Sequence, residues 1–145
     1  MLKSKLLHPE ILKVLGCSGH GSQILIADGN YPFASRCGPN TTVVYLNLTP
    51  GIPTATDVLA TLVDAIPIEG ATVMQPPGQA EASILKEFRE ILPAGQEIKS
   101  LERYAFYEAA SSAMTTLVIA TAEVRRFANI LLTVGVVKLT PDESI

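Results

Sequence analysis

The residues best suited to proton transfer lie in one short segment, at His20 and Asp28. Histidine titrates near neutral pH, so it can both donate and accept a proton. The flanking Gly19 and Gly21 would let a ligand approach the backbone closely. The same pattern fits a turn with an incidental surface histidine, and Asp28 before a glycine fits a simple turn residue. If the loop folds back over the following strand, the pair would form a base and its carboxylate partner.

Two further places could contribute to a site. The segment 125–129 is Arg-Arg-Phe-Ala-Asn and precedes the last predicted strand. Arg103 stands at a predicted helix start, where the helix dipole disfavours a cation. Arg103 is therefore either an ordinary surface residue or a side chain that points into a site.

Other familiar catalytic patterns do not occur in the sequence. The segment 19–22 lacks the spacing and the lysine of a phosphate-binding loop, and no dinucleotide fingerprint follows the first strand. His8 and His20 are twelve residues apart, without cysteine or carboxylate at metal-ligand spacing. Ser111 and Ser112 lack the Gly-x-Ser-x-Gly elbow of serine hydrolases. We therefore expect no metal site and no serine nucleophile.

Helical and extended segments alternate along the chain. Helices are predicted from Pro9, behind a capping box at 54–57, over 79–92 and over 101–113. Strands are predicted at 24–27, 42–46, 71–74, 115–120 and 130–137. Strands separated by helices imply βαβ units. We expect one domain over 1–145 with a three-layer α/β fold, in which a mostly parallel central sheet carries helices on both faces. Ligands of such sheets bind beyond the carboxyl ends of the strands.

Composition limits the possible partners. Apolar residues make up 48% and charged residues 17%, with a mean hydropathy of +0.31, which favours a homo-oligomer that buries apolar surface. The net charge of −3 and the scattered cations argue against nucleic acid. No apolar run reaches the ~18 residues of a membrane span, and the start does not read as a signal peptide. Two cysteines suit a reducing compartment, so we expect a cytoplasmic protein.

Several segments together resemble one known family. Residues 6–15 read Leu-x-x-Pro-Glu-Ile-Leu-Lys-Val-Leu, and residues 26–32 read Ile-Ala-Asp-Gly-Asn-Tyr-Pro. Residues 103–108 and 121–136 supply a third and a fourth match. In this order, and with the Gly-His-Gly at 19–21, they resemble the D-ribose pyranase and L-fucose mutarotase family, with 103–108 closer to its fucose branch.

The resemblance implies an α/β fold, a ring-shaped homo-oligomer that is often a decamer, and sites at subunit boundaries. It also implies interconversion of the cyclic forms of a monosaccharide such as L-fucose, without a cofactor. By position, His20 would be the general acid and base, and Asp28 would bind sugar hydroxyls or orient His20. Arg103 and Asn129 would bind the sugar.

Phe127 departs from the family pattern, which usually has a tyrosine there. Phenylalanine can pack on a sugar face but cannot donate a hydrogen bond. Three hypotheses therefore remain open: an active mutarotase or pyranase, a sugar-binding or regulatory relative with little turnover, and an oligomeric scaffold without a ligand. Tyr31 or Tyr107 would be the source of a replacement hydroxyl.

Overall fold

A six-stranded sheet forms the centre of the protein in the computed structural model, which describes residues 1–138. The strands are β1 (Gln23–Ala27), β2 (Thr42–Tyr45), β3 (Ile68–Met74), β4 (Ile98–Leu101), β5 (Thr115–Ala120) and β6 (Ile130–Val134). The helices are α1 (Pro9–Cys17), α2 (Ala55–Leu62), α3 (Leu85–Ile91) and α4 (Arg103–Ala110), with a single 3-10 turn at Pro77–Gln79.

The sheet is mostly parallel, as predicted. Its strand order is β2-β5-β1-β6-β3-β4, and β6 runs antiparallel to both of its neighbours. The direction of β6 follows from the length of the chain before it. Only nine residues, 121–129, connect β5 to β6, whereas a parallel crossover needs a dozen or more. As a result, β6 begins at the edge of the sheet where the other five strands end.

Helices cover both faces of the sheet. On one face, Ile24 and Ile26 of β1 join a core with residues of α1, α2 and α3. On the other face, Leu25 joins a smaller core with Phe106 of α4 and Tyr31. Because neighbouring residues of β1 point to opposite faces and both faces are covered, the whole apolar run 24–27 is buried.

Local sequence signals place two helix starts correctly. Pro9 opens α1, and the His8 side chain accepts a hydrogen bond from the Ile11 N–H at its N-terminus. The predicted capping box of α2 is present, with reciprocal hydrogen bonds between Thr54 and Asp57.

Three element predictions were wrong. The helix expected over 79–92 begins only at Leu85, because the 3-10 turn at Pro77–Gln79 is followed by extended backbone at Ala80 instead of helix. The stretch 98–101 is strand β4, although it has too little apolar pattern to be predicted, and the following helix starts at Arg103. The last strand ends at Val134 instead of residue 137.

Candidate active site

The ends of several strands place polar side chains at one edge of the sheet. Asp28 follows β1, Arg103 follows β4, and Asn129 immediately precedes the antiparallel β6. There they border a cleft of about 260 Å³. Its lining consists of Asp28, Asn30, Tyr31, Met74, Arg103, Tyr107, Arg126, Phe127 and Asn129. The structure thus brings together four of the five predicted site residues, all except His20.

Asp28 and Asn129 form a reciprocal pair at the base of this cleft. The Asp28 N–H donates to the Asn129 Oδ1 at 2.8 Å, and the Asn129 Nδ2 donates to the Asp28 Oδ2 at 2.9 Å. The Asp28 Oδ2 also accepts from the Ala128 N–H at 3.2 Å, and its Oδ1 accepts from the Asn30 N–H at 2.9 Å. The two side chains are therefore locked in place by the loop that precedes β6.

Burial gives the Asp28 carboxyl unusual acid–base properties. The residue is 3% exposed. Desolvation raises the pKa of Asp28 above its ordinary value, although the hydrogen bonds from Asn30, Ala128 and Asn129 act in the opposite direction. A carboxyl with a raised pKa at the base of a cleft is suited to accept and return a proton.

Arg103 and Phe127 form one wall of the cleft. The Arg103 guanidinium carbon lies 5.3 Å from the centre of the Phe127 ring, within the range of a cation–π contact. Phe127 has a φ of 62°, a left-handed conformation that is uncommon outside glycine. Arg103 begins α4, where Glu102 rather than a ligand caps the first N–H groups. The Arg103 side chain lines the cleft.

Two tyrosines line the cleft beside Asp28. The Tyr31 hydroxyl donates to the Arg36 carbonyl at 3.0 Å. Burial raises the pKa of Tyr31 well above its ordinary value. The Tyr107 ring meets the Tyr31 ring edge-on at 5.5 Å, and the Arg36 guanidinium carbon lies 5.5 Å from its centre. Since the Tyr31 hydroxyl is already engaged, Tyr107 is the better source of a replacement hydroxyl.

His20 lies at the opposite edge of the sheet. It precedes β1, whereas Asp28 follows it, and a strand of this length spans about 16 Å. The His20 Nε2 lies 3.0 Å from both carboxylate oxygens of Glu69, at the start of β3. The loop does not fold back over the strand end. Within one chain, therefore, His20 and Asp28 do not share a cleft. Of the two roles predicted for Asp28, it does not orient the His20 of its own chain, and its binding of sugar hydroxyls stays a prediction.

An ion pair supports the loop between β5 and β6. Arg125 donates to Glu123 from Nε at 3.0 Å and from Nη2 at 2.9 Å, and it reaches Glu87 of α3 at 2.5 Å. The buried Glu123 also accepts from the Ala55 N–H at the start of α2. Burial would raise the pKa of Glu123, but the hydrogen bonds from Arg125 bring it below its ordinary value. These contacts hold the loop that carries Phe127.

Sequence reasoning did not single out three of the cleft residues. Arg126 lay inside a segment already noted, Asn30 lies two residues after the predicted Asp28, and Met74 ends a predicted strand. The position of Met74 at a strand's carboxyl end was the signal that could have identified it.

Several other features bear on the chemistry. Burial raises the pKa of the Cys37 thiol, which also donates to the Phe33 carbonyl at 2.8 Å, so it is a poor nucleophile. In the described part of the chain, no three His, Cys, Asp or Glu side chains are grouped to hold a metal ion. Over the same residues, no helix has the length and apolar character to span a bilayer.

A model of the RbsD / FucU transport protein family matches residues 1–137. The chain belongs to this family. It is 31% identical to a fucose mutarotase of Mus musculus, over 94% of each chain. It is 33% identical to a D-ribose pyranase of Streptomyces avermitilis, with 94% of this chain and 98% of the relative covered.

Solved structures of this family share the fold. Bacillus subtilis RbsD complexed with D-ribose superposes with a TM-score of 0.82 at 26% identity, covering 95% of this chain and all of that one. A fucose mutarotase from Streptococcus pneumoniae in complex with L-fucose gives a TM-score of 0.81 at 26% identity, with the same coverage.

Proposed function

We propose that this chain is an isomerase that interconverts the cyclic forms of a monosaccharide, without a cofactor. The observation that carries the proposal is the cleft, in which the buried Asp28 lies beside Asn129 and Arg103. Membership of the RbsD / FucU family and its relatives among fucose mutarotases and D-ribose pyranases support it.

The reaction needs two proton transfers and no covalent intermediate. A base takes the proton of the anomeric hydroxyl while an acid protonates the ring oxygen. The bond between the anomeric carbon and the ring oxygen breaks, and an open-chain aldehyde forms. Ring closure reverses these steps on either face of the carbonyl, or from another hydroxyl. Positioned proton transfer of this kind contributes about 10²–10⁴-fold.

Asp28, Asn129 and Arg103 supply distinct parts of this chemistry. Asp28 exchanges a proton with the sugar, because its raised pKa favours the protonated form at higher pH than an exposed aspartate allows. The Asn129 amide holds Asp28 in place. Arg103 donates hydrogen bonds to sugar oxygens and stabilises the negative charge of the deprotonated anomeric oxygen.

His20 would act in the cleft of a neighbouring subunit. It lies at the edge of the sheet opposite to the cleft, so it can reach a cleft only when two subunits meet head to tail. Such heterologous contacts close into rings. Glu69 engages Nε2 of His20, which leaves Nδ1 for proton exchange with the sugar. The family resemblance suggests that the ring is a decamer.

The cellular compartment is proposed from the cysteines. The two cysteines are free, which suits the reducing cytoplasm.

Exchange NMR tests the proposal. Saturation transfer between the anomers of L-fucose, and between the pyranose and furanose forms of D-ribose, is expected to accelerate with enzyme concentration. Binding without faster exchange would instead support a sugar-binding or regulatory protein, the hypothesis raised by Phe127.

Subunit mixing tests the shared site. His20→Ala and Asp28→Asn are each expected to slow exchange by about 10²–10⁴-fold. In randomly mixed rings of the two variants, about a quarter of the sites regain both native residues, so activity returns. If mixed and re-formed oligomers stay inactive, His20 and Asp28 do not act across a subunit boundary.

A further inference from the structure

Within residues 1–138, two of the five arginines form no ion pair with a carboxylate. The chain has five arginines. Arg36, Arg89 and Arg125 form ion pairs with glutamates. Among residues 1–138, Arg103 and Arg126 lie within 4.0 Å of no carboxylate, and both line the cleft that contains Asp28. The unpaired guanidinium groups are thus concentrated in the candidate active site.

The charge of this cleft favours an anionic ligand. Its charged lining consists of two guanidinium groups and the Asp28 carboxyl. With Asp28 ionised, one positive charge remains uncompensated, and with Asp28 protonated two remain. A neutral sugar leaves this charge unbalanced. A single carboxylate matches it, and the planar guanidinium can hold a carboxylate through two parallel hydrogen bonds. A phosphate, with close to two negative charges near neutral pH, would exceed the balance when Asp28 is ionised.

The rest of the lining is consistent with this preference. Phe127 lines the cleft with an apolar ring, which cannot donate a hydrogen bond to a sugar hydroxyl. The Arg103 guanidinium lies 5.3 Å from the centre of that ring, which helps to fix its position. Arg126 directly precedes Phe127 in the chain, and its exposed side chain lines the cleft. Both cations therefore line the same cleft.

We propose that the preferred substrate is a monosaccharide with one carboxylate group, a uronate, which Arg126 and Arg103 hold during ring opening. This inference rests on the proposed mutarotase function and names its substrate class.

Matched pairs of sugars test the inference. D-galactose and D-galacturonate, D-glucose and D-glucuronate, and D-mannose and D-mannuronate differ only at the sixth carbon. Exchange NMR gives kcat/KM for each sugar, and isothermal titration gives its affinity. In at least one pair, the uronate is expected to exceed the neutral sugar in kcat/KM by about tenfold or more, since hydrogen bonds to charged groups contribute more than neutral ones.

Substitutions attribute the preference to the cleft. Arg126→Gln is expected to remove most of the uronate preference, and Arg126→Lys to keep part of it. Lys86→Gln removes one positive charge from the exposed face of α3 and is expected to leave the preference unchanged. Higher salt concentration is expected to weaken the preference, because it screens exposed charges.

The outcomes separate this inference from the proposed function. If neutral sugars exchange as fast as uronates in all three pairs, the inference is overturned and the mutarotase function stands. A stronger preference for D-galactose 6-phosphate than for D-galacturonate also overturns it. If no sugar exchanges but uronates bind more tightly than neutral sugars in an Arg126-dependent way, the carboxylate site is supported and the mutarotase function fails.

Discussion

Replacement of Asp28 by asparagine separates the chemical role of its carboxyl from its structural role. In the native protein, Oδ2 accepts hydrogen bonds from Ala128 and Asn129, and Oδ1 accepts one from Asn30. An asparagine can keep its oxygen toward the first two donors. Its amide nitrogen then faces the Asn30 N–H, where it cannot accept a hydrogen bond. One bond is lost and two donors oppose each other.

The energetic consequences have opposite signs. The lost hydrogen bond costs about 1–3 kcal/mol. In the opposite direction, a neutral amide does not carry the desolvation cost of a buried carboxylate, the cost that raises the pKa of Asp28. We therefore expect a net destabilisation of about 1 kcal/mol in mildly acidic buffer, which corresponds to about 4 °C in Tm for a chain of this size.

The pH dependence follows from the direction of the shift. Because the folded protein raises the pKa of Asp28 above its unfolded value, the folded state binds more protons in that interval. Wild-type stability therefore falls as pH rises from about 4 through the folded pKa. Asp28→Asn lacks this loss, so its deficit relative to wild type is expected to shrink between pH 5 and pH 8. Thermal unfolding followed by circular dichroism at both pH values measures the deficit.

The catalytic consequence is larger than the structural one. Without a proton-exchanging group, anomer exchange is expected to slow by about 10²–10⁴-fold in saturation-transfer NMR. Asp57→Asn is the matched control, because Asp57 also accepts a backbone N–H, that of Thr54 at 2.9 Å, but caps α2 away from the cleft. It should cost about 1 kcal/mol and leave exchange unchanged. Exchange within threefold of wild type in Asp28→Asn, or a deficit that grows with pH, would refute the reasoning.

Three further predictions concern the surrounding structure. Arg125→Met is expected to cost about 3 kcal/mol in urea unfolding at pH 7, because it leaves the buried Glu123 without its partner. Since the native pKa of Glu123 is lowered, this difference should shrink as pH falls below about 4.5, and a pH-independent difference would contradict it. Gly38→Ala should lower stability by about 1–3 kcal/mol, because the added Cβ would lie 2.3 Å from a backbone carbonyl oxygen. In Gly16→Ala, within α1, the added Cβ would meet nothing within 4 Å, so stability should rise by about 0.5–1 kcal/mol. Equal Tm values for the two alanine variants would refute this account. Phe127→Tyr should speed exchange of neutral sugars by about tenfold through an added hydrogen bond, and an unchanged NMR rate would show that no hydroxyl is needed there.

Most helices and strands could be predicted from the sequence, because the local signals agree with the packing of the folded chain. The apolar run at 24–27 reads as a doubly covered strand and is one. The Thr54–Asp57 box marks a helix start because its two hydrogen bonds are local. The edge strand β4 was not predicted, because residues 98–101 include few apolar side chains. Its hydrogen bonds are made with β3, which lies more than twenty residues earlier in the chain.

The candidate site was only partly predictable. Residue type and position identified Asp28 at a strand end, Arg103 at a helix start and Asn129 before the last strand, and the structure places all three in one cleft. The different roles of Arg125 and Arg126 depend on long-range contacts. In the described part of the chain, Arg126 lines the cleft without an ion pair, whereas its neighbour Arg125 is held by Glu123 and Glu87. The sequence Arg-Arg does not tell which of the two forms the ion pair, because Glu87 lies in a helix far away in the chain.

The sequence by itself determined the alternation of strands and helices, the family and a set of candidate residues, because these depend on side-chain type and local spacing. Only the tertiary structure decided that the loop carrying His20 does not fold back over β1 toward Asp28, and that the antiparallel β6 brings Asn129 to the edge where Asp28 lies. The physical reason is that the choice of neighbouring strands and their register depend on hydrogen bonds between segments about a hundred residues apart, which local patterns do not encode.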